Sequence, residues 1–232
     1  RRQRQMCIRD SLGEDLVREE RALAKAQANV DTQTDTLGRM FERIIGLLTE
    51  MDYVELVDGE PTVTEEGERL ARIHNVSDLL VAQCLKRGIW DELDPAELAG
   101  VASMCVFENR KATGGYPEAA TDRMADAMNA TQRIYGELAS DEQRHRLPPT
   151  NMPDPGFALS LHQWAAGAPL GYALAAAAES GAELTPGDFV RWCRQVIDLL
   201  EQIVQTGYSD EIKHNARRAV EAIRRGVVAI GN

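Results

Sequence analysis

Apolar residues recur at helical spacing over most of this chain, and alternation of apolar with polar positions is confined to one short stretch. The segment SLGEDLVREERALAKAQAN (11–29) is rich in helix formers, with a thin apolar stripe through Leu12, Leu16 and Leu23 and an i,i+4 pair of Glu14 with Arg18. It predicts an extended helical arm that packs on one side only. A second helix is expected in TDTLGRMFERIIGLLTEMDYVEL, where Leu37, Met40, Phe41, Ile44, Ile45, Leu47 and Leu48 define a wide face expected to be buried. The period then changes: YVELVDGEPTVTEEG alternates around Asp58-Gly59, the signature of a tight β-hairpin.

Thr64 is placed to cap a helix over EEGERLARI, so helix, hairpin and helix together are similar to part of a winged helix. From about Val76 onward helix follows helix. Asp94-Pro95-Ala96-Glu97 is a compact start signal: the Asp can cap, Pro suits the first helical position, and Glu can reach back to the cap. That helix is expected to run to a charged end at Glu108-Asn109-Arg110. Ser140 to Gln143 and Thr185 to Asp188 repeat the start grammar, while RHRLPPTNMPDPG (144–156) reads as a proline-broken loop between two halves of a bundle.

In TPGDFVRWCRQVIDLLEQIVQTG the apolar positions Phe189, Val190, Cys193, Val196, Ile197, Leu200, Ile203 and Val204 fall on one face. Arg191, Arg194, Gln195 and Asp198, at i, i+3, i+4 and i+7, share a second, polar face. A helix over 186–204 would be a rod of about 28 Å. The last segment carries Arg217, Arg218, Arg224 and Arg225 in a helical pattern. The fold class is therefore mainly α: a helical bundle with a partial winged-helix segment, one short β-hairpin and an N-terminal helical stalk.

Composition narrows the function. A chain of 232 residues with a formal net charge of −11 does not hold nucleic acid by bulk electrostatics, so any such contact has to be local. Cys7, Cys84, Cys105 and Cys193 are far apart, with no Cys-x-x-Cys pair and no His at ligand spacing; buried reduced thiols are expected, and no metal site. No apolar run approaches the roughly 20 residues of a membrane span, which predicts no membrane association and a cytoplasmic setting. The first residue is Arg, so the chain reads as a piece of something larger.

Catalytic chemistry is not legible. No phosphate-cradling Gly-x-x-x-x-Gly-Lys-Ser/Thr loop, no Gly-x-Ser-x-Gly and no His-Glu-x-x-His string occurs. His74, His145, His162 and His214 are isolated, and the carboxylates lie in solvated runs such as TEEGE. The fragment alone is expected not to be an enzyme, with no catalytic residue and no cofactor of its own. Trp90 and Trp164 lie inside apolar helical patterns and are read as core anchors rather than stacking platforms.

Four segments, taken in order, resemble a known family. CLKRGIWDELDPAELAGVASMCVFENR is similar to the DSHCT domain, the C-terminal helical domain of superkiller-like DExH-box RNA helicases, through Gly88, Ile89, Trp90, Leu93, Asp94, Pro95, Glu97, Leu98, Ala99, Val106, Phe107 and Glu108. LSLHQWAAGAPL looks like that family's Trp-x-x-Gly segment through Trp164 and Gly167, GDFVRWCRQVIDLLEQI like its following helix, and ARRAVEAIRRGVV like its terminal helix. Residues 111–150 carry no matching motif.

The resemblance implies a division into the end of a stalk arm (1–30), a winged-helix-like segment (31–75) and a helical bundle (76–232) with a ratchet helix at about 186–204. It implies RecA-like motor domains upstream in the same chain, with ATP and Mg²⁺ as the cofactors of the full-length 3′-to-5′ helicase. The bundle would line the path of single-stranded RNA, with DNA as the alternative strand. Arg191, Arg194 and Gln195 on the ratchet helix, together with Asn109 and Arg110, are then the candidate nucleic-acid contacts, with Glu108 orienting Arg110. Read from the residues alone, two further functions stay open: a winged-helix transcriptional regulator that binds duplex DNA and dimerises through the bundle, and a structural helical adaptor.

Overall fold

The computed structural model describes residues 2–110 and 114–230, with side chains described from residue 18 onward. The chain separates into two units, residues 1–46 and 47–232. In the first unit the structure departs from the two-helix expectation: α1 runs unbroken over Arg2–Glu50. The run Asn29–Thr36 is poor in helix formers, but its side chains support the helix locally. Thr32 and Thr36 hydroxyls donate to the carbonyls of Ala28 and Thr32, Gln27 donates to Asp31, and Arg39 pairs with Asp35. Leu12, Leu16, the Glu14 partner of Arg18, and Cys7 lie outside the described side chains. The expected burial of the 37–48 face is also corrected. Leu37, Phe41 and Ile44 are 70%, 60% and 40% exposed; Leu47 alone of that set is fully buried.

The second unit begins with the last residues of α1 and a hairpin, β1 (Val54–Val57) and β2 (Glu60–Val63), paired antiparallel with Val54 opposite Val63. Its two-residue loop has both Asp58 (φ 53°) and Gly59 (φ 84°) in the left-handed region, the primed turn that matches strand twist. Thr64 then caps α2 (Glu65–Leu70), its hydroxyl accepting from the Gly67 N–H at 3.1 Å. A short connection leads to α3 (Asp78–Lys86).

The corner anticipated at Asp94 is a complete capping box. Asp94 Oδ1 accepts from the Glu97 N–H at 2.8 Å, Glu97 Oε2 accepts from the Asp94 N–H at 2.9 Å, and Pro95 opens α4 (Pro95–Ser103). Buried Glu97 also accepts from the Thr121 hydroxyl at 2.7 Å. α4 is the central helix and packs on α6 (Ala158–Ala165) and α9 (Asp210–Ile223). The approach to α6 is close at Gly100, where a Cβ would lie 2.8 Å from the Ala158 carbonyl. α4 ends at Ser103, so Glu108-Asn109-Arg110 lies in the following loop rather than at a helix terminus.

α5 spans Asp122–Arg144 without a break, which overturns the helix start expected at Ser140. The Ser140 hydroxyl donates backwards to the Gly136 carbonyl at 3.0 Å, and buried Ile134 and Leu138 carry the apolar stripe through the region. The proline-broken loop follows, then a 3₁₀ turn (Pro155–Phe157), α7 (Leu170–Glu179) and α8 (Pro186–Thr206). Arg217 and Arg218 lie on α9, but Arg224 and Arg225 form the break before α10 (Gly226–Ala229). Among the described residues the fold is mainly helical, with one hairpin and a long N-terminal helix, which matches the class read from the sequence.

Both tryptophans read as core anchors are buried. The Trp90 indole N–H donates to Thr131 Oγ1 at 3.1 Å and that of Trp164 to the Ile223 carbonyl at 2.8 Å. A row of aromatic rings crosses the core: Trp192, Phe107, Phe157, Phe189 and Trp164 succeed one another with centroids 5.1, 5.4, 5.6 and 5.4 Å apart, mostly edge to face. Each end of the row is covered by a guanidinium, Arg191 at 4.7 Å over Trp192 and Arg225 at 3.7 Å over Trp164. Among the described residues no helix is long and apolar enough to cross a membrane.

Candidate nucleic-acid interface

The site is built on α8, whose ends are sharply set. The Thr185 hydroxyl accepts from the Asp188 N–H at 3.1 Å, Pro186 takes the first turn, and Gly207, at φ 73°, stops the helix in the left-handed region. Between these stops the helix buries Phe189, Cys193, Val196, Ile197, Leu200, Ile203 and Val204 of the expected face, leaves Val190 half-buried, and also buries Trp192 and Leu199. Arg191, Arg194, Gln195 and Asp198 are exposed in one ridge along the opposite side.

Three of the five candidate contacts converge. Asn109, Arg110 and Arg191 line one groove of about 640 Å³, floored by Phe107 and Trp192 and bordered by Leu174 of α7. Gln195 borders a neighbouring groove of about 260 Å³ with His74 and Gln202. Arg194 lines neither of these grooves; its guanidinium donates to the Ile230 carbonyl at 2.8 Å. A third and larger groove of about 1230 Å³ shares His74, Asp198 and Gln202 with the second and continues along α8 toward Gln205 and Arg217 of α9. The polar ridge thus runs beside successive depressions from Arg191 to Gln205.

The loop that presents Asn109 and Arg110 is held from behind. Asp154 Oδ2 accepts from the Asn109 N–H at 2.8 Å, and the Asn109 side-chain amide donates to the Gly181 carbonyl at 2.8 Å. The Asn109 amide therefore fixes the loop against α7's far end. Glu108, expected to orient Arg110, accepts from Asn151 at 3.2 Å.

The first groove mixes both signs and is not cationic. Arg110 and Arg191 line it together with Glu108, Glu183 and Asp188. Arg191 is paired with Asp188 at 3.2 Å, both side chains about half exposed. The Thr185 hydroxyl donates to Asp188 Oδ2 at 2.9 Å, and this bond, followed by Arg191, holds the Asp188 carboxyl below the usual carboxylate range. Such a surface suits hydrogen bonding and stacking at a few points, not capture of a polyanion by net charge.

His74, Gln202 and Leu174 were not singled out by the sequence. Gln202 lies seven residues beyond Gln195, on the same ridge, and extending the polar stripe one more repeat finds it. The His74 N–H donates to Gln202 Oε1 at 2.7 Å across 128 residues of chain, a contact with no local signature.

The model of the DSHCT (NUC185) domain matches residues 60–230, well over half of the chain. The chain belongs to the DSHCT family. This DSHCT domain is 46% identical over 220 residues to the probable helicase HelY of Mycobacterium tuberculosis (strains CDC 1551 / Oshkosh and ATCC 25618 / H37Rv) and to that of Mycobacterium leprae (strain TN). The match covers 92% of the chain and 24% of each relative, so the chain spans about a quarter of their length.

Proposed function

We propose that this DSHCT domain is the C-terminal accessory part of a cytoplasmic, ATP-dependent 3′-to-5′ RNA helicase, where it guides a single strand and couples motor closure to translocation. In this reading residues 1–30 end a stalk arm, 31–75 form a winged-helix-like segment and 76–232 the bundle. ATP and Mg²⁺ belong to RecA-like motor domains elsewhere in the full-length protein, and this fragment supplies no catalytic group.

The observation that carries the reading is α8 itself. It is anchored by one apolar face while Arg191, Arg194 and Gln195 stand exposed on the other, Arg191 and Gln195 each beside a groove. Guanidinium and amide groups hold phosphates and bases without reading sequence, and Arg191 offers a planar group already resting on an indole. Each contact to a phosphate on a single strand steepens the salt dependence by about 0.7 in log–log slope. With acidic groups interleaved, affinity of the isolated domain is expected to be low.

The test is Arg191→Glu with Arg194→Glu in the full-length protein. ATPase stimulation by single-stranded RNA and strand displacement should both fall, with the half-saturating RNA concentration raised. Unchanged stimulation and displacement remove the guide role from α8.

A further inference from the structure

Asp188 stands where the guide reading does not need it. A carboxylate beside a phosphate-holding guanidinium weakens the hold, yet Asp188 is aimed at Arg191 by an arrangement of its own. The Thr185 hydroxyl accepts from the Asp188 N–H at 3.1 Å and donates to Asp188 Oδ2 at 2.9 Å, leaving Oδ1 to face the Arg191 Nη2 at 3.2 Å. Arg191 is in turn steadied on the Trp192 ring at 4.7 Å. The guanidinium is thus held in the groove wall with a counter-charge already in place, and one turn of helix fixes all the parts.

We infer that Asp188 is an internal competitor for the strand: it occupies Arg191 between contacts, so each phosphate must displace a carboxylate and is released when the carboxylate returns. This rests on the guide reading of α8 above. A guide that lets a strand advance has to let go as readily as it holds, and a strand bound too tightly at one guanidinium is a brake. A tethered carboxylate three residues away lowers the net gain on binding without removing the cation. Its own contribution to folding is that of a half-exposed pair, small enough that the pair exchanges partners freely.

Asp188→Asn in the full-length protein removes the charge and keeps the size, and the Thr185 cap of the helix needs only the residue-188 N–H. The RNA concentration that half-saturates ATPase stimulation should fall about two- to fivefold, the range that exchange of a half-exposed ion pair supports. Strand displacement per ATP hydrolysed should fall with it. The gain in affinity should fade between about 50 and about 300 mM salt, which a packing defect would not show. Asp188→Ala should act in the same direction, Asp188→Glu should restore wild-type behaviour, and adding Arg191→Ala should abolish the gain.

A half-saturating concentration that stays the same or rises in both Asp188→Asn and Asp188→Ala overturns the inference. Arg191→Ala separates this from failure of the underlying reading. If Arg191→Ala weakens RNA stimulation while the Asp188 variants change nothing, the guide role stands and the competitor role is wrong. If Arg191→Ala itself changes nothing, the guide reading fails and the competitor role goes with it.

Discussion

Replacing Thr131 by Val, alone and with Trp90 changed, measures a buried hydrogen bond under the corner that opens the bundle. Trp90 is fully buried, and its indole N–H donates to Thr131 Oγ1 at 3.1 Å, while the Thr131 hydroxyl donates to the Ala127 carbonyl at 2.8 Å. Val fills the same volume, so no cavity opens. What is lost is the hydrogen-bond acceptor of a fully enclosed N–H donor. A buried donor left without a partner costs about 1–3 kcal/mol, whereas the Ala127 carbonyl keeps its place in the helix ladder and adds little. A net destabilisation of about 1–2 kcal/mol is expected, which for a body of this size lowers the melting temperature by about 2–8 °C. Urea unfolding followed by far-UV circular dichroism measures it. On a Trp90→Phe background the same substitution strands no indole donor, so its cost there should shrink by about 1 kcal/mol. Equal costs on the two backgrounds would show that the indole bond is not the source of the effect.

Three further outcomes follow from particular contacts. Asp94→Ala removes the acceptor half of the capping box and should destabilise the chain by about 1–2 kcal/mol in urea, with Asp94→Asn losing much less. Two bonds from Arg144 and a third with His145 hold the Glu50 carboxyl at about 2, below its ordinary 4.5; the stabilisation is therefore complete above about pH 4.5 and is lost as pH falls toward 2. The melting-temperature gap between wild type and Glu50→Gln should accordingly be present at pH 6 and closed at pH 2, and a gap that persists at pH 2 refutes the assignment. Burial pushes the Cys84 thiol up to about 12 and raises those of Cys105 and Cys193, so on a Cys7→Ser background Ellman's reagent should find no fast thiol until denaturant is added.

What the sequence disclosed follows the range of the interactions involved. The hairpin turn at Asp58-Gly59, the cap at Thr64 and the box at Asp94 are each set within four residues, and each is readable as a string. The ridge of α8 was readable because one helix carries both its faces. Where local grammar misled, a neighbouring interaction outcompeted it. Ser140 reads as a cap, but the helix it would start is already running, and its hydroxyl turns back to Gly136. The pattern predicts a gap between helices ending at Asn29 and starting at Thr34, but Asp31, Thr32 and Thr36 find partners one turn away inside α1. The burial expected of Leu37, Phe41 and Ile44 assumed that an apolar face implies a covering one, which periodicity alone does not supply. The grooves were out of reach for a different reason: Asn109 meets Gly181 across 72 residues and His74 meets Gln202 across 128, and neither pairing leaves a trace in composition or spacing.

The aromatic row gives this domain a built-in optical reporter. Trp192 is 7% exposed and lies at the groove end of the row with a guanidinium over its face, whereas Trp90 and Trp164, at 0% and 3%, sit away from that groove. Emission from Trp192 should shift whenever Arg191 leaves it, and with Trp90 and Trp164 replaced by Phe that single indole can follow groove occupancy in real time without an attached dye.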